Sequence, residues 1–150
     1  EIQWLSDPLV GPQGVLLDET TLALWDGRLV ANCRLQGFEG RGSGARYLAW
    51  GDGHSWNGGQ LWDCEDPGCN AKQLADLFIH PHSLSSRRAG SVLCLTPPWE
   101  GRVRAEAVAA LCGGEFGYSD VCVRGDEVVV VFERDRDLWG VVLSMTELVS

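Results

Sequence analysis

The sequence predicts an α+β domain, mostly antiparallel sheet, with a C-terminal three-stranded meander and two or three short helices. Three observations lead there. The last third reads as apolar runs separated by polar turns. Nineteen glycines cut the chain into short elements. Two stretches, Ala71 to Phe78 and Thr96 to Cys112, place apolar residues at helical spacing.

Taken in order, Trp4 and Leu5 open the chain and Asp7-Pro8 marks a turn. Gly14 to Leu17 reads as a short strand. Asp18 to Thr21 offers a cap for a helix through Leu22, Leu24 and Trp25, which Asp26-Gly27 would stop. The same Asp-Gly pair is also a hairpin turn, and that is the rival reading. Leu29 to Leu35 alternates apolar and mixed residues as a half-buried strand does. Arg46 to Trp50 is a strand, Gly51-Asp52-Gly53 turns it, and Gln60 to Trp62 returns. Ala71 to Phe78 is expected as a helix with Leu74, Leu77 and Phe78 on one face.

Ser91 to Leu95 is expected as a buried strand. Thr96 can cap a helix whose first turn tolerates Pro97 and Pro98. That helix would run to Cys112, stop at Gly113, and bury Val103, Ala107, Ala110 and Leu111. Asp120 to Arg124, Glu127 to Glu133 and Leu138 to Ser144 form the meander, with turns at Gly125-Asp126 and Arg134 to Asp137. Val128 to Val131 is apolar without alternation, so that strand is expected to be central and covered on both faces.

At 150 residues and 45% hydrophobic content, residues 1–150 are expected as one domain whose core needs neither metal nor disulfide. Net charge is −9, with 21 acids against 12 bases, and Lys72 is the sole lysine. Such a surface repels phosphate backbones and anionic lipid, so no nucleic-acid and no membrane partner is expected. It steers basic proteins instead. No run of apolar residues approaches the length of a membrane-spanning helix, and no secretory signal is visible.

Six cysteines are present. Cys94, Cys112 and Cys122 sit in apolar company and are expected as core thiols, which points to a reducing, cytoplasmic setting. Cys64 and Cys69 bracket the turn Glu65-Asp66-Pro67-Gly68, and His80 and His82 follow. Cys64, Cys69, His80 and His82 have the ligand types of tetrahedral zinc. A His-x-His spacing and a helix between the pairs argue against it, so no metal and no cofactor is expected.

Asp52, His54 and Ser55 lie in a Gly- and Trp-rich loop. His54 could serve as a base with Ser55 as nucleophile, but triads assemble from distant segments, and a polar hairpin tip explains the loop as well. Trp50, Trp56 and Trp62 recur every six residues. On one continuous strand they would share a face and could stack sugars; core packing is the plainer account for Trp50 and Trp62. Trp56, among small and polar neighbours, is the expected exposed anchor.

The segment from Trp4 to Gly27, WLSDPLVGPQGVLLDETTLALWDG, resembles the opening of the bacterial toxin-immunity family of the "immunity protein 21" type. The later YLAWGDG resembles that family's aliphatic strand followed by a Gly-Asp turn. The similarity spans about a third of the chain. It implies a protein that binds a toxin and carries no catalytic residues. The leading expectation is therefore a non-enzymatic binding protein that covers a toxin's active site. Trp56, Asp52, His54, Asp63, Glu65 and Asp66 are the expected contacts with a basic toxin domain. Two alternatives remain: a zinc-binding or hydrolytic enzyme built on His54, Cys64, Cys69, His80 and His82, and a carbohydrate-binding module using the tryptophans.

Overall fold

A computed structural model describes residues 8–12, 15–36, 44–81 and 89–148. Three antiparallel sheets hold most of them. The first joins β1 (Leu16–Trp25), β2 (Arg28–Gln36), β3 (Ala45–Gly51) and β4 (Trp56–Asp63) in sequence order. The second joins β5 (Lys72–Leu74), β6 (Leu77–Pro81), β7 (Gly90–Leu95) and β8 (Ala105–Cys112), again in order. The third is β9 (Ser119–Arg124), β10 (Glu127–Arg134) and β11 (Asp137–Ser144), with β10 central. Among the described residues the one helix is α1 (Met145–Leu148). The fold is thus all-sheet, and the expectation of α+β with two or three helices is overturned.

Each misplaced helix has a physical cause. In β1 the period-2 pattern wins: Thr21, Ala23 and Trp25 are buried while Leu22 and Leu24 face outward. Asp26 and Gly27 follow with φ of 47° and 72°, the paired positive values of a type I′ hairpin turn. Ala71 to Phe78 is split by a turn at Ala75 (φ 50°), and Leu74 pairs across it with Leu77. The third helix is replaced by a loop and β8. Gly101, at φ 145°, interrupts any helix. Thr96 and Arg104 close the loop by a backbone hydrogen bond of 2.9 Å, and Arg104 N–H donates to Thr96 Oγ1 at 2.9 Å. The Ala-rich segment Ala105–Cys112 has high helix propensity, but β7 captures it as a strand with two register shifts.

The second sheet is the middle layer. Every residue of β6 is buried, and its side chains alternate between two cores. Phe78 joins Trp25, Val30, Leu48, Trp62 and Leu95 against the first sheet. Leu77 and Ile79 join Val92, Phe116, Val128, Val130 and Phe132 against the third. Strand β10 is central to its own sheet, as expected, but only one face is covered. Val128, Val130 and Phe132 are buried, while Val131 and Glu133 are exposed. The doubly covered strand is β6.

Close packing of the second core depends on Gly90. A Cβ there would land on the ring of Phe116, which stacks on Phe132 at 5.0 Å. A Cβ at Gly140 would meet nothing within 4 Å. Gly90→Ala should therefore destabilise the fold by about 1–3 kcal/mol, the usual cost of overpacking. Gly140→Ala should stay within ~0.5 kcal/mol of wild type. Urea unfolding midpoints of the two variants check this pair of outcomes.

Candidate functional site

The β3–β4 hairpin tip holds the expected His54–Ser55 pair. Asp52 organises it: its Oδ1 accepts the backbone N–H of His54 at 2.8 Å and of Ser55 at 2.9 Å. These two amides hold the Asp52 carboxyl below its ordinary range, the Ser55 amide contributing most. Ser55 Oγ donates to Asn57 Oδ1 at 3.2 Å. The serine hydroxyl is thus engaged by an amide side chain and not by an imidazole. The tip is a self-capped polar turn.

The expected partner-binding set does not form one patch. Asp52, His54 and Trp56 lie at the tip, with Asp52 and His54 exposed and Trp56 half-buried. Asp63 and Glu65 are exposed at the opposite end of β4. Seven residues of strand at about 3.3 Å each put Asp63 roughly 23 Å from Trp56. Asp66 is fully buried and supplies no surface field. The tryptophan platform is also absent. Trp62 is in the core, and Trp50 packs against the same cluster with its ring over Gly58.

Asp66 instead anchors a buried polar network. Arg46, on β3, is completely buried and forms a 2.7 Å ion pair with Asp66 through Nη1. Each guanidinium nitrogen is engaged. Arg46 Nε donates to Asn32 Oδ1 at 2.5 Å, Nη1 to the Cys69 carbonyl at 3.3 Å, and Nη2 to the Asn32 carbonyl at 3.4 Å. Asp66 Oδ1 accepts from the amides of Gly68 (2.7 Å) and Cys69 (3.3 Å). Asn32 Nδ2 donates to Gln73 Oε1 at 2.9 Å, so the network reaches β5. Left-handed residues at Glu65 (φ 55°) and Gly68 (φ 77°) fold the loop back so that Asp66 points inward.

The same fold-back changes the metal question. The sulfur of Cys64, a carboxylate oxygen of Asp66 and an imidazole nitrogen of His80 all lie within 4.8 Å of one another. Of the four zinc-type residues singled out in the sequence, Cys64 and His80 meet. Cys69 is buried in the loop, where its backbone carbonyl serves Arg46, and His82 lies outside the described residues. His80 is oriented by Phe78, stacked at 5.4 Å, and by Trp62, tilted at 6.4 Å. Sequence reasoning places Asp66 on the surface and passes over Arg46. A charged residue in an apolar strand, Arg46-Tyr47-Leu48-Ala49-Trp50, is the available signal for a buried counter-ion.

All six cysteines are thiols. The buried ones are Cys33 and Cys69; Cys94 and Cys112 are partly buried and Cys122 is exposed. The expectation that Cys94, Cys112 and Cys122 are the core thiols is corrected. Cys122 sits between two valines, but β9 alternates, and its side chain takes the outer face. Burial pushes the Cys64 thiol far up, with the Asp66 charge adding to it. Burial likewise raises Cys33 and Cys94.

The outer face of the third sheet is a feature the sequence reading does not foresee. Val129 pairs with Cys122 on one side and Val142 on the other, and Val131 with Asp120 and Gly140. Leu138 is 76% exposed, Val142 53% and Val131 42%. Asp120, Glu127 and Glu133 lie on the same face. The result is an apolar strip bordered by Glu133, by Asp120 with Lys72 4.0 Å away, and by the Arg124–Glu127 ion pair at 2.7 Å, with open space at Gly140 beside Val131. Among the described residues no helix is long and apolar enough to cross a membrane. No family model matches the sequence, and comparison with curated proteins found no match.

The buried pair and the thiols each give a measurable outcome. Asp66→Asn should cost about 3–5 kcal/mol, because it leaves Arg46 buried without its counter-charge; adding Arg46→Met to it should recover part of the loss. Denaturant midpoints of the single and double variants measure this. In a timed alkylation of the native protein, Cys122 should react first, while Cys33 and Cys69 stay protected until unfolding. Peptide mass mapping gives the order.

Proposed function

We propose that the chain is a non-catalytic binding protein of the toxin-neutralising type, and that its docking face is the outer surface of β9, β10 and β11. One observation carries this reading: the apolar strip of Val129, Val131, Leu138 and Val142, with charged residues at its border and open space at Gly140. An apolar centre with a polar rim is the anatomy of a specific protein interface. The occupant is a basic protein domain, because net charge is −9 and Asp120 and Glu133 lie on the face of the strip, while Glu127 is paired with Arg124 at 2.7 Å. The resemblance of the N-terminal segment to an immunity family supports the same class. The engagement of Ser55 Oγ by Asn57 favours it over the hydrolase. The core position of Trp62, and the packing of the half-buried Trp50 against that core, favour it over a sugar platform.

The partner to test is the protein encoded beside this one in its genome. Wild type should bind that protein and rescue growth when the two are expressed together. Gly140→Trp fills that open space, so its thermal melt should match wild type. Its binding should weaken by more than ~2 kcal/mol, the hot-spot threshold. Charge reversal at Asp120 and Glu133 should slow association, less so in high salt. Surface-plasmon kinetics read all of these. A Gly140→Trp variant that binds as well as wild type, or a loss confined to Trp56→Ala, removes the third sheet as the interface. No binding and no rescue by wild type removes the immunity reading.

A further inference from the structure

The loop after β4 and the strand β6 bring three different metal-ligating groups together inside the protein. Cys64 and Asp66 come from the loop, and His80 comes from the middle sheet, fourteen residues further on. We propose that Cys64 Sγ, an Asp66 carboxylate oxygen and an imidazole nitrogen of His80 form a zinc site, with a solvent molecule as the fourth ligand.

The donor set selects the metal. Thiolate and imidazole are soft-to-borderline ligands that suit zinc and exclude magnesium and calcium, which take oxygen donors. Zinc bonds of about 2.0–2.3 Å set tetrahedral donors roughly 3.3–3.8 Å apart. The three groups lie within 4.8 Å of one another, so movements of about 1 Å close the site. The loop is already shaped for this, since the Gly68 and Cys69 amides fix the turn by their bonds to Asp66.

The surroundings supply the support that metal ligands need. Arg46 donates to Asp66 at 2.7 Å and orients its carboxylate, and the metal shares that carboxylate with it. Phe78 and Trp62 fix the plane of the His80 ring. A groove of about 450 Å³ lined by Ser91, Leu93 and Ala107 reaches His80 from the outside.

The proton balance is simple. Hydrated Zn²⁺ replaces the proton of the Cys64 thiol, forming a Zn–S bond and releasing one H⁺ to solvent; Asp66 enters as carboxylate and His80 as neutral imidazole. The added local charge is +1, since zinc brings +2 and the thiolate −1. A site with three protein ligands and one exchangeable position is the open kind. It stands whether or not the third sheet docks a partner.

The test uses cobalt as a spectroscopic stand-in for zinc. The intact protein, stripped with a chelator and kept reduced, is titrated with Co²⁺. One equivalent should give the visible bands of tetrahedral cobalt and a near-ultraviolet thiolate-to-cobalt transition, and Zn²⁺ should bleach both. Cys64→Ser should abolish the thiolate transition and weaken binding at least about tenfold, the lower bound for losing even a residue that only supports a metal ligand. Cys64→Ser exchanges one atom at a half-buried residue, so this variant should fold; its circular dichroism checks that. Cys122→Ser, on the outer face, should keep both signals. His80→Gln should weaken binding and retain the thiolate transition. No cobalt spectrum in wild type, a thiolate transition surviving Cys64→Ser, or one lost in Cys122→Ser overturns the site.

Discussion

The ion pair of Arg46 and Asp66 is the constraint on which the arrangement of the sheets depends. Both side chains have no solvent exposure, and burying two charges costs several kcal/mol each before their attraction is counted. The cost is offset because every guanidinium nitrogen and both carboxylate oxygens are engaged: Asn32, the Cys69 carbonyl, and the amides of Gly68 and Cys69 add to the pair itself. A well-packed apolar pair could be as stable, so the charges are better understood as a specification. Arg46 belongs to the first sheet, Asp66 to the connecting loop, and Gln73, two bonds away, to the second sheet. Any sliding of one sheet over the other strips the pair of partners. The guanidinium also lies 5.3 Å over the Phe78 ring, so the apolar core between these layers is registered by the same residue.

From that registration the layers follow. Local meanders build each sheet, since every hydrogen-bonded neighbour is also a neighbour in sequence. The non-local step is the stacking of layers on the two faces of β6. Alternation along Leu77-Phe78-Ile79-His80 sends Leu77 and Ile79 to the third sheet, and Phe78 and His80 to the first. One five-residue strand thus links both cores. Tyr118 adds a polar tie between outer layers, its hydroxyl donating to Glu19 at 2.5 Å. Burial pushes Glu19 upward, but this bond and Arg34 more than offset it and hold the carboxyl low.

Period-2 alternation and turn chemistry are the legible parts. The C-terminal meander, the β3–β4 hairpin and β7 are readable because apolar runs are bounded by Gly and Asp turns. The three expected helices fail where helical spacing arises by chance in a chain whose partners are strands. Leu74, Leu77 and Phe78 sit at i, i+3 and i+4, yet a positive φ at Ala75 breaks the run into a hairpin. In Ala105–Cys112 the intrinsic preference of alanine loses to an open edge on β7. The candidate sites are less readable. Asp66 looks like a surface acid because its counter-ion lies twenty residues earlier, inside an apolar strand. His80 and Cys64 have ligand chemistry, but the expected helix would separate them; the strand brings them together instead. The apolar strip on the third sheet is hidden by Val128 to Val131, whose uniform composition reads the same with one face covered or two.

That strip raises the question of why the protein does not pair with itself. Strand β11 is an edge, and Leu138-Trp139-Gly140-Val141-Val142-Leu143 carries no charge. Such an edge is a template for pairing with another copy. Local features blunt it. The Asp135-Arg136 turn, with φ of 52° and 74°, has the type I′ twist that curls the ribbon, and Arg134 lies 5.3 Å over Trp139. Charge is the stronger safeguard: two copies at −9 repel, and Asp120 and Glu133 lie on the strip's face in each. The same acids attract a basic surface. Acidity at this face therefore acts twice, by holding identical copies apart and by lowering the barrier to a partner of opposite sign. An apolar strip can remain exposed on β10 and β11 because its electrostatic margin discriminates between the two encounters.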